Sequence, residues 1–304
     1  MKNRTRFSLL ALAAIFVAGC AALGSVTKKI GQATGQSKLV DAGESMERSA
    51  KEFTESEKYY VGRTVAAQLL TSRKPSNATS MEAYIGRVGQ TVAQASGKPQ
   101  LFKGWHFILI EGEAPEAFAC PGGDILITTA LVKLCSTEDE LAAVLAHESS
   151  HVALDHPMAA ITASNRKAAL VGIVQFGVSQ AARNSELSNL TGVFDGVIKD
   201  VGTAVGRGYD KSKEYEADKT AVAILLEVGY DPRSLAAVLR KLPSTGSAHG
   251  DPKKRAAELD SLTAKMKGIP ETAEARTKRF ARGIGGIEGG TEPAAAPAKK
   301  KPKK

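Results

Sequence analysis

The chain is poor in the residues that staple or stack small proteins together. Among 304 residues it has three cysteines, one tryptophan and an aromatic content of 5%. So few cysteines exclude a disulfide-dense scaffold and a structural zinc knot built on four thiolates. An apolar run long enough to cross a bilayer is also missing. FSLLALAAIFVA at 7–18 has twelve residues, where roughly 20 are needed. AALVGIVQFGV at 168–178 is shorter still. The third shortage is charge in the body of the protein. The net charge is +9, but Lys2, Arg4 and Arg6 stand at one end and Lys299, Lys300, Lys301, Lys303 and Lys304 at the other. What lies between is nearly neutral, which disfavours a nucleic-acid-reading face. What remains, 43% hydrophobic and 24% charged, is an ordinary balance that can bury a sizeable core.

The two ends read as appendages. MKNRTR is a positive n-region, followed by the short apolar run and then Val17-Ala18-Gly19-Cys20. Small residues directly before a cysteine resemble a bacterial lipobox, so residues 1–19 read as a lipoprotein signal peptide and Cys20 as the acylated first residue of the mature chain. Ala21 follows rather than aspartate, which points to the outer membrane, with the protein facing the periplasm. Residues 20–37 read as the acylated cysteine and a small, polar tether, and 38–285 as the folded domain. Residues 286–304, rich in Lys, Pro and Ala, hold too little apolar surface for a core and read as disordered. The tail lysines offer a contact to anionic lipid or cell-wall polymer, or serve solubility alone. Cys120 and Cys135 remain; an exported compartment permits a disulfide between them, and two buried thiols are the alternative.

Within the domain, helical spacing runs from about 38 to 73, with Phe53, Tyr60, Val61, Val65, Leu69 and Leu70 at mostly three- and four-residue steps. A second helix is expected over 80–95. WHFILI (105–110), AFAC (117–120) and DILIT (124–128) read as strands, with Pro121-Gly122-Gly123 as a tight hairpin turn. Helices dominate from about 129 to 282. The fold class is α+β, mainly helical with a small sheet. The apolar, Gly-rich region 170–208 reads either as a lid or as core helices.

The chemistry concentrates in HESSH, residues 147–151. Thr137 and Glu140 fit a capping box, Glu138 and Asp139 favour the positive end of the helix dipole, and Leu141, Val144, Leu145 and Val152 supply an apolar face. Pro157 is expected to halt the helix. On it, His147 and His151 project to one side, a spacing that supplies two zinc ligands, while Glu148 reaches a metal-bound water. His156, five residues on, rotates roughly 140° away and is expected off the metal. A glycine at 154 and a histidine at 157 would make the motif a metzincin one; Leu154 and Pro157 exclude it. Downstream, Glu214 and Asp218 lie four apart in a helical stretch and share a face. One carboxylate can complete a His₂Glu site and the other can fix a ligand histidine.

HExxH followed about sixty residues later by ExxAD resembles the gluzincin metallopeptidases of the HtpX and BepA type. EKYYVGRTVAAQLL (57–70) resembles that family's N-terminal helix. PEAFACPGGDILITTALV (115–132) resembles its NAFA-x-PGG strand, hairpin and helix, with Glu116 in place of the asparagine. The resemblance implies a zincin-type domain whose small sheet lines the cleft, binding one Zn²⁺ through His147, His151 and Glu214. It implies Glu148 as general base, Asp218 behind the ligands, and Ala117, Phe118 and Ala119 pairing with an extended substrate backbone. SAHGDPKKR matches the family's histidine with an arginine six residues later, here His249 and Arg255, although Gly250 stands where proline is usual. His249 is then an oxyanion stabiliser or a metal-bound cap that holds the enzyme latent; by itself it reads as an exposed loop histidine. Arg255 is a second oxyanion candidate.

The expected protein is a lipid-anchored zinc endopeptidase acting on unfolded or misassembled envelope proteins, without the helical repeats that often follow the protease domain in BepA-like relatives. The alternative is a non-proteolytic assembly factor that holds clients in the same cleft.

Overall fold

A computed structural model describes residues 53–163, 209–243, 249–266 and 273–285, with the isolated positions 29 and 32. The leader, Cys20, the tether, region 170–208 and the Lys-rich tail lie outside the described residues. Among the described residues, nine helices and three strands follow in the order α1 Glu55–Ser72, α2 Thr79–Gln94, β1 His106–Ile110, β2 Ala117–Ala119, β3 Asp124–Thr128, α3 Thr129–Leu134, α4 Glu138–Ala153, α5 His156–Ala163, α6 Lys211–Glu227, α7 Ser234–Lys241, α8 Pro252–Thr263 and α9 Ala273–Ile284. The expected α+β class is what the chain adopts.

Local chemistry explains the starts. Thr54 caps α1 in a reciprocal box with Glu57. Thr128 accepts from the Leu131 amide at the head of α3, and Asp210 and Asp251 cap α6 and α8 through their carboxylates. On α4, Thr137 accepts from the Glu140 amide, but the Glu140 side chain reaches past Thr137 to the Ser136 amide at 2.6 Å. The box is therefore opened by one residue.

The sheet has the order β1-β3-β2, with β1 parallel and β2 antiparallel to β3. Pro121–Gly123 joins β2 to β3 as one 3-10 turn. Gly122 (φ 74°) sits against Tyr59 Cα of α1, and a Cβ on Gly62 of α1 would lie 1.7 Å from the Pro121 carbonyl oxygen. Glycine at both places lets α1 pack directly on the turn. Central β3 is buried along its length, while β2, the edge strand, is buried without a second strand partner among the described residues.

α4 corrects the expectation of a single apolar face. Apart from Asp139 and Ala153, all its residues are buried, because α2, α6, α7 and β2 surround it. A second correction concerns its end. The helix stops at Ala153, Asp155 takes φ 56°, and α5 begins at His156 with Pro157 in its first turn, a position proline tolerates. Asp155 is held there by Lys58 at 2.9 Å and Lys98 at 2.8 Å. Cys120 and Cys135 are free thiols buried in two different apolar clusters. Burial pushes both thiols up, Cys135 to about 12.

Candidate metal centre

Two helices and one loop build the site. α4 brings His147 Nε2 and His151 Nε2 to 3.0 Å of each other. Crossing it, α6 lays Glu214 and Asp218 against these rings, with only 1% and 2% of each acid exposed. Glu214 Oε2 is 3.4 Å from His147 Nε2, and its Oε1 is 3.7 Å from His151 Nε2. Asp218 Oδ1 lies 3.0 Å from His147 Nδ1, on the outer side of that ring. From the loop before α8, His249 places Nδ1 at 3.1 Å from Glu214 Oε1 and Nε2 at 3.7 Å from Glu148 Oε1.

One ligating atom from each of His147, His151, Glu214 and His249 lies within 4.8 Å of all the others. Three imidazoles and a carboxylate converging so closely are a donor set for a divalent metal such as zinc. Burial holds His151 well below the usual imidazole range, which leaves a neutral ligand. On His147, burial and Arg255 act downward, but hydrogen bonds with Asp218 and Glu214 lift the pKa to about 9. Burial alone would raise the Glu214 carboxyl; hydrogen bonds from His147, His151 and His249 win and hold it far below the carboxylate range. Asp218 is held at about 2, with burial opposed by Arg255 and His147. Beside this set, Glu148 is 3% exposed, and among the described residues its Oε2 has no hydrogen-bond partner. A buried carboxylate oxygen left unmatched in this way suits a proton acceptor waiting for a reactant.

Arg255 is held by several protein acceptors. Its Nε and Nη2 donate to Asp218 at 2.8 and 2.6 Å, and Nη1 donates to the His249 carbonyl at 2.9 Å and lies 3.2 Å from Glu214. The guanidinium is thus committed to protein acceptors. It ties together Asp218, Glu214 and the His249 loop, and it also lines the cleft. His156 stays off the four-donor set, as its place in the sequence implies, but for a different reason. The break at 154–155 turns its Nδ1 to 2.9 Å from His151 Nδ1, and Glu216 lies 3.4 Å from its Nε2. Tyr209 was not anticipated. Its ring stacks on His151 with centroids 4.3 Å apart and planes at 26°. Lying just before the cap of α6, it has no periodic partner in the sequence that would have marked it.

A cleft of about 180 Å³ opens beside the donors. His147, Glu148, His249 and Arg255 form its polar side, and Phe118, Leu131, Val144, Leu235 and Leu239 are among its apolar walls. Ala117 and Phe118 of edge strand β2 line it as well, while Ala119 continues the same strand.

A buried HExxH helix, a carboxylate supplied by a second helix, and an unpartnered acid facing an apolar cleft define a metallopeptidase centre. The chain belongs to peptidase family M48, whose profile matches residues 79–263. It is similar to the beta-barrel assembly-enhancing protease of Escherichia coli (strain K12), 31% identical over 189 residues that cover 60% of this chain and 36% of that protein. The Yersinia pestis protein of the same name is 29% identical over 213 residues, covering 66% of this chain and 42% of its own length. The mitochondrial metalloendopeptidase OMA1 of Schizosaccharomyces pombe is 27% identical over 197 residues, covering 64% and 54%. The chain therefore spans about half or less of the length of these relatives. Among the described residues, no helix is long and apolar enough to cross a membrane.

Proposed function

We propose that this protein is a zinc endopeptidase of the cell envelope that hydrolyses unfolded or misassembled proteins, held at the outer membrane through Cys20 and facing the periplasm. The observation that carries the catalytic part is the unpartnered Glu148 Oε2, buried next to the His147–His151–Glu214 donor set. Zinc held by those three residues would supply Lewis acidity and lower the pKa of water. Glu148 takes the proton of the attacking water and passes it to the leaving amine. Asp218, backed by Arg255, fixes the outer nitrogen of His147 and so its tautomer.

Substrate backbone adds to the free edge of β2 at Ala117–Ala119, and the apolar walls accept an apolar side chain. Such a cleft suits segments that a folded protein keeps inside, which supports unfolded clients over folded ones. The names of the bacterial relatives speak of barrel assembly; here that suggests envelope proteins as the client class.

His249 favours a second state of the same site. Its ring occupies the fourth donor position, against Glu214 and near Glu148. In that state it caps the centre, and the cleft holds a client without cutting it. The test uses the full chain, assayed for zinc content and casein cleavage before and after chelation, beside His249→Ala. One zinc per chain with chelator-sensitive cleavage is expected, and His249→Ala raises the rate if the ring is a cap. A lower rate would assign His249 to the oxyanion instead. Zinc without cleavage in either protein would support the client-holding reading. Lipid labelling that survives Cys20→Ala would remove the anchor.

A further inference from the structure

A cavity of about 800 Å³ lies between α2 and α9 and reaches the first residue of α4. HESSH stands near the other end of that helix, and this cavity shares no lining residue with the cleft beside the metal donors. Its walls are charged with one sign. Arg276, Arg279 and Arg282 recur every three residues along α9 and so form one ridge. Arg87 comes from α2, and all four arginines line the cavity. Glu138 is the one acid among the described lining residues.

Acids account for two of these four cations. Arg279 is held by Glu138 through Nε and Nη2. Arg276 has Asp139 3.1 Å from its Nε and donates Nη1 to the Gly229 carbonyl at 2.8 Å. Among the described residues, Arg87 and Arg282 pair with no acid. The cause is local. The single acid of α2, Glu82, accepts from the Leu109 amide at 3.3 Å. The single acid of α9, Glu274, pairs with Lys278 at 2.6 Å. Arg282 turns its Nε to the Lys278 carbonyl at 3.3 Å, which leaves its terminal nitrogens. Arg87 and Arg282 are both exposed, so a ligand can reach them and their replacement does not disturb the core.

Unmatched guanidiniums around one concave space repel each other, and low-dielectric walls concentrate their field. Their forked donors suit oxygens in pairs. A carboxylate brings two oxygens and a single charge, which serves one arginine. A phosphate monoester brings three free oxygens and a charge of about −1.5 to −2 at neutral pH, which serves both. Ser80 adds a hydroxyl on the α2 wall. We propose that this cavity is a phosphate-binding site, in which Arg87 and Arg282 hold the phosphate oxygens while the acid-anchored Arg276 and Arg279 keep the surroundings positive. The ligand is a phosphomonoester, free or carried on a lipid headgroup. The site does not use the metal and stands apart from the peptidase reading.

The test compares the full zinc-loaded chain with Arg87→Gln/Arg282→Gln and with Lys103→Gln/Lys219→Gln, which removes two exposed cations outside the cavity. The probes are inorganic phosphate and dihexanoyl phosphatidic acid below its micelle concentration, each read by Tm. A ligand that binds the folded chain raises Tm. Phosphate on the zinc, or general stabilisation by salt, shifts all three proteins alike, so the difference between them reads the cavity. Wild type and the lysine variant should rise together, and the arginine variant should rise less. By calorimetric titration, its phosphate affinity should be lower by about tenfold or more. In phosphate-free buffer it should melt no lower than wild type, because two repelling charges are gone. A rise with both probes shows that the phosphate group alone is read. A rise with phosphatidic acid only makes the lipid headgroup the source, and with inorganic phosphate only, the free ion. Equal responses of wild type and the arginine variant to both probes would overturn the proposal. So would a lower Tm of that variant without phosphate, which would make the two arginines structural.

Discussion

The two ends of α4 carry buried acids in opposite states. At its start, Glu138 receives the hydroxyls of Tyr84 and Tyr230 at 2.8 and 3.0 Å, and Arg279 donates to it through Nε and Nη2 at 3.0 and 2.5 Å. Each oxygen is matched. Ten residues later, Glu148 is equally buried, yet among the described residues Oε2 has no partner, and His249 lies 3.7 Å from Oε1. The first end also borders the larger cavity, about 800 Å³ between α2 and α9. Size therefore does not find the chemistry. A matched acid joins α2, the loop after α6, and α9 to α4; an unmatched acid oxygen lies beside the donor set.

This contrast can be broken by substitution. The largest effect belongs to Glu148→Gln, which should cost about 10²–10⁴ in cleavage rate while metal content and Tm stay as in wild type. A substantial fall in Tm would mean that Glu148 is structural and would end the contrast. Next comes Glu214→Gln, expected to abolish stoichiometric metal binding. Saturating zinc raises the Tm of wild type, corresponding to about 2.7 kcal/mol at a hundredfold excess over Kd, and should leave the variant unmoved.

Glu138→Gln should show the reverse pattern. Its loss of charge-assisted hydrogen bonds destabilises by about 2 kcal/mol, with kcat per folded molecule unchanged. The pH dependence sharpens this. Burial acts to raise the Glu138 carboxyl, but Arg279, Tyr84 and Tyr230 together hold it below its ordinary 4.5. A depressed folded pKa gives stability that is fully present above the unfolded value and fades as pH falls through the folded one. The gap between wild type and Glu138→Gln in denaturant melts should therefore be flat from pH 6 to 8. It should shrink below about pH 4.5; a gap independent of pH would show that the carboxylate's charge contributes nothing. The smallest effect is Thr137→Ala, about 1 kcal/mol from the lost cap at the same helix end.

Much of this arrangement was legible in the residues. The strands, the Pro121–Gly123 turn, the helix beginning at Thr137 and the shared faces of His147–His151 and Glu214–Asp218 follow from periods and caps that span a few positions. Other features were hidden. The break at Leu154–Asp155 gives no helix-breaking signal in the sequence, and Pro157 suggested an end where it instead opens α5. The burial of α4 on nearly every side depends on four other elements closing around it. Arg255 looked like a free cation because its partners lie far away: 37 positions to Asp218 and 108 to His147. Tyr209 gave no signal for the same reason, since its stacking partner belongs to another helix.

The sequence by itself determined which polar groups share a helix face: His147 with His151, and Glu214 with Asp218. Helix periodicity and capping are short-range effects, and neighbouring residues suffice to specify them. Only the tertiary structure decided which donors are engaged and which are left open. Whether a buried polar atom is matched depends on groups that the chain brings back from tens of residues away. That closure left Glu148 Oε2 and the Tyr209 hydroxyl open while engaging Glu138, Asp218 and Arg255.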